Sequence, residues 1–292
     1  MLLKYNEPLS GHTSLRIGGQ AYCWAEPENT KDILEAVSLA ESKKKKFFVI
    51  GRGTNLLAGD GLFDGVIIHL AGGFDRCGAE DGDIINAGAG ASLAKLVKYA
   101  SDTGLSGCEF LTGIPGNTGG AVLMNAGVRG LEGAGFDEIK DILLDAEVLE
   151  LKSGNIKTLS RKDIDFKYRS SDLDGNVILG ARFKLEKSKK EKIRDKIKAF
   201  NKKREWLAGI GFPNAGSIFK NPAPDKSAGM LIESCGLKGK RLGDAEISMV
   251  HANIIVNLGK ALAKDVLGLI DLAQAGVKQK FGIELELELK VI

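Results

Sequence analysis

The sequence predicts a mixed α+β protein, and two contrasting periodicities predict it. Apolar residues recur at helical spacing in residues 30–44 and again in residues 262–282. The last stretch, IELELELKVI (283–292), instead alternates apolar and mostly acidic side chains, which is typical of a strand with one buried face. Between residues 71 and 186, short apolar runs are separated by glycine-rich turns. Helices and strands should therefore both contribute to the core.

The N-terminal half alternates helices and strands in the order of its patterns. TKDILEAVSLAESKK predicts an amphipathic helix, and FFVIG and GVIIHL predict buried strands. DIINAGAGASLAKLVKYASDTG predicts a strand, a glycine-rich turn and a helix that ends at Gly104. AEVLEL and VILGARFKL predict later strands, while LEGAGFDEIKD (131–141) and DLDGN (172–176) carry turn signals.

A basic segment opens the C-terminal part. Residues 184–204 contain 11 basic and 3 acidic side chains, a net charge of +8 in a chain whose total is +3. Ile193, Ile197 and Phe200 form an apolar stripe that predicts a helix over most of this segment. The charge has two interpretations, a solvated helix face or a positive field that attracts phosphate-bearing ligands.

Further elements follow towards the C-terminus. Ser227 is placed to cap a helix over AGMLIESC that stops at Gly236, and NIIVNL predicts a strand. The long helix of residues 262–282 should end at Gly282. The final strand should bury one row of side chains: Ile283, Leu285, Leu287, Leu289 and Val291.

Composition narrows the class of protein. A length of 292 residues suggests more than one domain, and 43% hydrophobic with 27% charged residues is ordinary for a globular protein. The sequence shows no long apolar run and no signal-peptide pattern, so we expect a cytoplasmic protein without a membrane partner. Aromatic content is 6% and no nucleic-acid-binding motif occurs, so no nucleic-acid partner is expected. Four scattered cysteines and three histidines lack metal-ligand spacing, so no metal site is expected.

Three glycine-rich clusters are candidate binding loops. They are GRGTNLLAGDGLFDG (51–65), GAGASL (88–93) and GIPGNTGGAVLMNAG (113–127). None matches the Rossmann fingerprint or the Walker pattern. They are either tight turns between strands or nests of backbone N–H groups around the pyrophosphate of a cofactor.

The stretch NAGSIFKNPAP (214–224) places Ser217 on a loop stiffened by Pro222 and Pro224. The hydroxyl could donate a proton, attack as a nucleophile, contact phosphate or cap a helix. Because the stretch lacks the GxSxG pattern and has no histidine near it in sequence, proton donation and substrate contact remain.

The ordered set of motifs resembles the UDP-N-acetylenolpyruvoylglucosamine reductase family, in its shorter type II form. The stretches that carry the resemblance run almost from end to end: HTSLRIGG, GRGTNLL, GCEFLTGIPGNTGGAVLMNAG, DFKYRSS, NAGSIFKNP, SMVHANIIVN and FGIELELEL. Two departures are Trp206, where type II relatives have a Gln-Pro pair nearby, and Leu287, where proline is usual.

The resemblance implies an architecture. It predicts a two-lobed FAD-binding region of the vanillyl-alcohol-oxidase (PCMH) type at about 14–186, with lobes at 1–70 and 71–186. A C-terminal substrate domain would follow at 187–292, with a closing strand at 283–292.

The resemblance also implies an activity. NADPH would reduce non-covalently bound FAD, and hydride would then pass to C3 of the enolpyruvyl group of a UDP-sugar in peptidoglycan precursor synthesis. The enzyme is expected to be a cytoplasmic monomer.

Residue roles follow from the same resemblance. Arg169 and Glu288 would stabilise the charge that grows on the substrate carboxylate, with Glu288 protonated, and Ser217 would protonate C2. Tyr168, Lys220 and Asn221 would contact the substrate. The residues implied at the cofactor are Gly51, Gly53, Thr54, Asn55, Leu56, Gly113, Ile114, Pro115, Gly116, Thr118, Gly119 and Gly120. Glu284 and Glu286, which share the predicted strand face of Glu288, are interpreted as solvated.

Two other functions remain open at this point. A different flavin oxidase with a covalent flavin link would need a histidine or cysteine such as His12 or Cys108. A nucleotide-binding module without catalysis would bind UDP-sugars but hold no flavin.

Overall fold

The computed structural model describes residues 1–80, 82–131 and 135–292. Within these ranges the helices are α1 (Thr30–Ser42), α2 (Leu93–Thr103), α3 (Thr118–Leu123), α4 (Ile139–Ile142), α5 (Lys190–Lys203), α6 (Ala228–Ser234) and α7 (Ala263–Phe281). The longer strands are β1 (Leu2–Pro8), β2 (Gln20–Glu26), β3 (Lys46–Ile50), β5 (Phe63–His69), β7 (Ile84–Gly88), β11 (Leu143–Glu150), β12 (Ile156–Ser160) and β15 (Asn176–Lys184). The short strands are β4 (Leu56–Leu57), β6 (Cys77–Ala79), β8 (Leu105–Ser106), β9 (Gly127–Arg129), β10 (Phe136–Glu138), β13 (Phe166–Lys167), β14 (Ser170–Ser171), β16 (Glu186–Lys187), β17 (Arg241–Leu242), β18 (Ala245–Ile247), β19 (Ile255–Asn257) and β20 (Lys290–Val291).

The strands form sheets of different sizes. The largest has the order β12-β11-β15-β7-β6, and a four-stranded sheet has the order β1-β2-β5-β3. Strand β15 lies in the middle of the larger sheet, antiparallel to both neighbours. Its run VILGA is buried at every position, which explains why this strand is continuously small or apolar instead of alternating.

Local signals define the ends of the helices. The side chain of Asn29 caps α1 by accepting from Asp32 N (3.1 Å), and Ser92 caps α2 by accepting from Lys95 N (3.2 Å). Helices α2 and α7 end as predicted at Gly104 and Gly282, both in the left-handed conformation that glycine adopts without strain.

The chain divides into two compact units. Unit 1 comprises residues 1–3, 24–51 and 66–205, and unit 2 comprises residues 4–23, 52–65 and 206–292. Unit 1 contains the five-stranded sheet with α1 to α5.

Unit 2 is built around α7. The buried side of this helix, which includes Val266, Leu269 and Ile270, packs with residues from distant parts of the chain, including Leu15 and Leu57. Strand β20 pairs in parallel with β4, which ties the C-terminal end to residues 56–57. These contacts explain why the compact units are discontinuous in sequence, unlike the predicted boundaries at 70/71 and 186/187. The assignment of two cofactor lobes to 1–70 and 71–186 remains a prediction.

The predicted closing strand at 283–292 is wrong in extent. Ladder pairing is confined to Lys290–Val291, with an isolated bridge between Leu287 and Phe219. The alternation of burial persists through Leu285 and Leu289, but Val291 is exposed. The segment is irregular because its backbone pairs with the loop that contains Ser217 instead of with a regular strand.

The expected cap of α6 is resolved differently. Ser227 precedes α6, but its side chain makes no cap hydrogen bond; Asn221 Oδ1 accepts from Ala228 N instead (3.0 Å). The turn predicted at 131–141 lies partly outside the described residues. In the part of the chain that the structure describes, no helix has both the length and the apolar character needed to cross a membrane.

Candidate active site

The loop of Ser217 (residues 214–224, called the serine loop below) is fixed on both sides of the serine. Gly216 adopts a φ of 72° and donates its N–H to Asn214 Oδ1 (3.0 Å). On the other side, Ile218 N donates to Asn253 O (2.9 Å), and Ile218 O accepts from Glu288 N (2.8 Å). No hydrogen bond of the Ser217 hydroxyl occurs among the described residues, and the side chain is half-buried. The loop therefore presents a positioned and available hydroxyl.

Glu288 differs from the two neighbouring glutamates of the C-terminal segment 283–292, called the tail below. Glu284 is 78% exposed and pairs with Lys278, and Glu286 is 73% exposed and pairs with Lys220. Glu288 is half-buried, and its N–H bonds the residue that follows Ser217. The structure thus brings Glu288 and Ser217 together in unit 2.

The two predicted substrate contacts of unit 2 have structural partners. Lys220 Nζ lies 2.5 Å from Glu286 Oε1, and Lys220 N donates to Glu286 O (2.8 Å). Asn221 Oδ1 caps α6 as described above. Both side chains therefore help to attach the serine loop to its surroundings, and their contact with substrate remains a prediction.

Arg169 is anchored in unit 1 by backbone carbonyls. Its Nη2 donates to Gly127 O (2.7 Å), its Nη1 donates to Asn125 O (3.4 Å), and Nη1 lies 3.9 Å from Glu138 Oε1. The guanidinium carbon lies 4.9 Å from the ring centre of Tyr168. The backbone of Arg169 has a φ of 56°, a strained conformation for a residue other than glycine. Both its backbone and its side chain are therefore held in place by the surroundings. Arg169 and Tyr168, both predicted from the sequence, therefore lie together.

Arg204 was missed by sequence reasoning. Burial lowers the pKa of its guanidinium, and the positive charge of Arg169 lowers it further. Its Nε also lies near the backbone of Gly113, because an added Cβ there would meet it at 3.8 Å. The sequence offered one signal, the position of Arg204 at the end of the basic helix, but this signal did not separate it from its exposed neighbours.

The glycine-rich loop at 113–120 approaches other backbone closely. A Cβ on Gly119 would lie 2.9 Å from Cβ of Ala89, and Gly119 N donates to Ala89 O (2.9 Å). Thr118, which is fully buried, donates its hydroxyl to Ala91 O (3.0 Å). The predicted clusters at 88–93 and 113–127 thus come together in unit 1.

Asn117 supplies a test of whether this loop fits a cofactor. Its Oδ1 is buried and has no hydrogen-bond partner among the described residues, and its side chain lies beside Gly51. A buried unpaired acceptor is costly unless a ligand donates to it. FAD carries hydroxyl and amide donors, so this part of unit 1 fits the cofactor. Asn117 was not among the residues predicted from the sequence.

The predicted cofactor residues at 53–56 belong to unit 2. Gly53 has a φ of 60°, and a Cβ there would lie 2.1 Å from His12 O, so glycine is required. Asn55 Nδ2 donates to Glu288 O (3.0 Å), and Asn55 O accepts from Lys290 N (3.1 Å). This segment is therefore attached to the tail that carries Glu288, and its contact with cofactor remains a prediction.

The residues considered for a covalent flavin link have other environments. Cys108 is buried, and burial raises the pKa of its thiol to about 12, which suppresses the reactive thiolate. His12 Nε2 lies 2.8 Å from Glu7 Oε1. Neither environment favours a covalent attachment.

Comparison with known proteins gives matches along almost the whole chain. The model of an FAD binding domain matches residues 21–160, and the model of the UDP-N-acetylenolpyruvoylglucosamine reductase C-terminal domain matches residues 208–292. The UDP-N-acetylenolpyruvoylglucosamine reductase of Desulforamulus reducens is 41% identical over 292 residues, with 99% of this chain and 93% of that protein covered. The chain belongs to this family.

Other members of the UDP-N-acetylenolpyruvoylglucosamine reductase family also match nearly the whole chain. The protein of that name from Bacillus subtilis is 40% identical, with 98% of this chain and 93% of that protein covered. The crystal structure of the Thermus caldophilus reductase matches with a TM-score of 0.83 at 37% identity, and the match covers 99% of this chain and 98% of that one. The predictions of an α+β fold and of an FAD-dependent oxidoreductase of this family are confirmed. The type II subclass and the roles of single residues remain predictions.

Proposed function

We propose that this protein reduces the enolpyruvyl group of UDP-N-acetylglucosamine enolpyruvate to UDP-N-acetylmuramate, with NADPH as hydride source and Ser217 as proton donor. The observation that carries this proposal is the restrained Ser217 loop, whose hydroxyl has no hydrogen-bond partner among the described residues. Bound FAD supplies hydride transfer between NADPH and substrate. Asn117 and the loop at 113–120 would hold the cofactor, because this region contains the buried unpaired acceptor.

Charge on the substrate carboxylate determines the roles of Arg169 and Glu288. Addition of hydride at C3 leaves negative charge that spreads from C2 into the carboxylate. The planar guanidinium of Arg169 can bind both carboxylate oxygens, and its anchoring by the carbonyls of Asn125 and Gly127 restricts its movement. A protonated Glu288 would donate a further hydrogen bond to the same group.

Ser217 then completes the reaction by transferring its proton to C2. The carbanion-like carbon is strongly basic, so the position of the hydroxyl matters more than a pKa near neutrality. Water or a neighbouring group must return a proton to the serine before the next cycle.

The experiment that tests this proposal separates the two half-reactions of Ser217→Ala by rapid-mixing absorbance. Reduction of the flavin by NADPH should stay within about threefold of wild type. Reoxidation by the enolpyruvyl substrate should slow by about 10²–10⁴-fold, the usual contribution of a positioned general acid. Ser217→Cys should retain part of the activity because a thiol can still donate a proton.

The matched control is Ser227→Ala, in the same unit, because the Ser227 side chain makes no cap bond. It should behave as wild type in both half-reactions. If Ser217→Ala is reoxidised at the wild-type rate, the proton comes from elsewhere and the assignment is wrong.

The proposal also covers the cellular location and the oligomeric state of the enzyme. UDP-sugars and NADPH are metabolites of the cytoplasm, so we place the reaction there. We propose a monomer as the active form.

A further inference from the structure

Asn253 contacts both residues that follow Ser217. Its Oδ1 accepts from Phe219 N (2.9 Å), its Nδ2 donates to Phe219 O (2.8 Å), and its backbone O accepts from Ile218 N (2.9 Å). The side-chain amide thus pairs with Phe219 as a neighbouring peptide group would in a sheet. Asn253 is 3% exposed and Phe219 is 2% exposed, so water cannot readily replace these bonds.

Asn253 is itself held by the side chain of His251. Its N–H donates to Nδ1 of His251 (3.2 Å), and the His251 ring stacks on Trp206 with 4.9 Å between ring centroids. Burial lowers the pKa of His251, and the charge of Lys238 lowers it further, which favours the neutral ring that can accept this bond. The ring also approaches Gly229 so closely that an added Cβ there would meet Cε1 at 2.8 Å.

The far side of the loop is held by the tail. Ile218 O accepts from Glu288 N, and Lys220 N donates to Glu286 O (both 2.8 Å). The serine loop therefore lies between two supports, the backbone of the tail and Asn253. The second support includes a single buried side chain, so one substitution can remove its side-chain bonds. Because Ser217 directly precedes the supported residues, a shift of Ile218 and Phe219 must move its Cα and hydroxyl.

We infer that Asn253 is a positioning residue that sets the location of the Ser217 hydroxyl for proton transfer. The inference rests on the proposed role of Ser217. In the proposed mechanism Asn253 touches neither the reacting atoms nor the cofactor, and it acts through the backbone of Ile218 and Phe219. Misplacement of a reacting group by about 1 Å can cost about 10²-fold in rate.

The test compares Asn253→Ala with Asn257→Ala in the flavin-containing full-length protein. Asn257 is a matched control because it is also buried, at 2% exposure, and its side chain bonds Leu15, Gly259 and Ala261 instead of the serine loop. In Asn253→Ala, substrate-driven reoxidation should slow about 10- to 100-fold. NADPH-driven reduction should stay within about threefold of wild type, and Asn257→Ala should keep the wild-type ratio of the two rates.

Two additional measurements and one substitute variant separate positioning from general loss of structure. Hydrogen exchange at the amide of Phe219 should accelerate in Asn253→Ala but not in Asn257→Ala, because Phe219 N loses its side-chain acceptor. The bond from Ile218 N to the backbone O of residue 253 remains in Asn253→Ala. The double variant Ser217→Ala/Asn253→Ala should be reoxidised no more slowly than Ser217→Ala alone, because Asn253 acts through the serine. If Asn253→Ala does not fold, Asn253→Asp is used, since it keeps the shape of asparagine and an acceptor for Phe219 N but removes the donor to Phe219 O.

Two results overturn the inference. One is a folded Asn253 variant that is reoxidised at the wild-type rate while Ser217→Ala is slow, which leaves the proposed function intact. The other is an equal slowing in the Asn253 and Asn257 variants, which reduces Asn253 to a structural residue. Wild-type reoxidation in Ser217→Ala would instead refute the proposed function itself.

Discussion

Arg169 combines a restrained side chain with a backbone conformation that non-glycine residues rarely adopt. Its φ of 56° costs about 1–3 kcal/mol in typical cases and persists only where the surroundings impose it. Here the carbonyls of Asn125 and Gly127 fix the guanidinium, and the Tyr168 ring lies beneath it. Such restraint is expected where a planar donor must be aligned with a carboxylate before reaction.

We expect Arg169→Lys to impair the substrate half-reaction selectively. Lysine keeps the charge but loses the planar fork, so reoxidation of flavin by the enolpyruvyl substrate should slow about 10²-fold or more. Reduction by NADPH should change by less than about threefold. Rapid-mixing absorbance measures both rates.

Arg161→Lys is the matched control for this variant. Arg161 also donates to two backbone carbonyls, those of Lys140 and Ile164, and it lies 4.9 Å from the ring centre of Phe166. It should lose stability without a selective effect on either half-reaction. Equal slowing of both half-reactions in Arg169→Lys would indicate a role in folding or flavin binding instead.

At the level of elements, α6 shows how one loop is joined to the next helix. The helix begins at Ala228, and the cap of its N-terminus comes from Asn221 in the proline-containing loop. Pro222 and Pro224 therefore stiffen the chain directly after Asn221, whose side chain is bonded to the start of α6. This arrangement connects the serine loop to a regular element of unit 2.

Removal of this cap should lower stability measurably. We expect Asn221→Ala to decrease the free energy of unfolding by about 0.5–2 kcal/mol, because Ala228 N would lose its partner. Ser227→Ala should cost less than about 0.5 kcal/mol, since its hydroxyl makes no cap bond. Denaturant unfolding of both variants checks the assignment, and a larger cost for Ser227→Ala would contradict it.

At the level of the whole molecule, the basic segment 184–204 concentrates positive charge at the end of unit 1 in sequence. Some of its lysines have structural partners: Lys184 bonds Asp83, Lys196 bonds Ser106, and Lys203 bonds the carbonyls of Arg129 and Gly130. Others, such as Lys190, Lys192 and Lys198, are exposed, although Lys198 Nζ lies 4.0 Å from Asp195 Oδ1. Exposed charge of one sign can raise the encounter rate with a phosphate-bearing substrate.

Substitution of Lys190, Lys192 and Lys198 by glutamine should raise KM for the UDP-sugar at low ionic strength. The increase should disappear at high ionic strength, where the field is screened. The control replaces Lys31, Lys43 and Lys44, which are exposed in the same unit and give the same change in net charge. If both triple variants show the same salt dependence as wild type, the basic segment is a solvated face.

The sequence by itself determined the features that depend on neighbouring residues. Helix α2 ends at Gly104 and α7 at Gly282 as predicted, because the left-handed conformation at a helix end depends on one residue. The apolar stripe of α7 is buried, as are Ile193 and Phe200 of the α5 stripe, while Ile197 is half-buried; helical periodicity is a local property that the sequence shows directly. The order of the motifs also predicted the family and its cofactor, since both are carried by short continuous stretches.

The tertiary structure alone decided which groups meet across long separations. Asn253 supports Phe219, Asn55 bonds Glu288, and Asn117 lies beside Gly51, although each pair is far apart in sequence. The tail alternates like a regular strand, yet its backbone pairs with the irregular serine loop, so ladder pairing is limited to Lys290–Val291. Periodicity specifies which face of a segment is buried, but the partner of each backbone group is set only when the chain is packed.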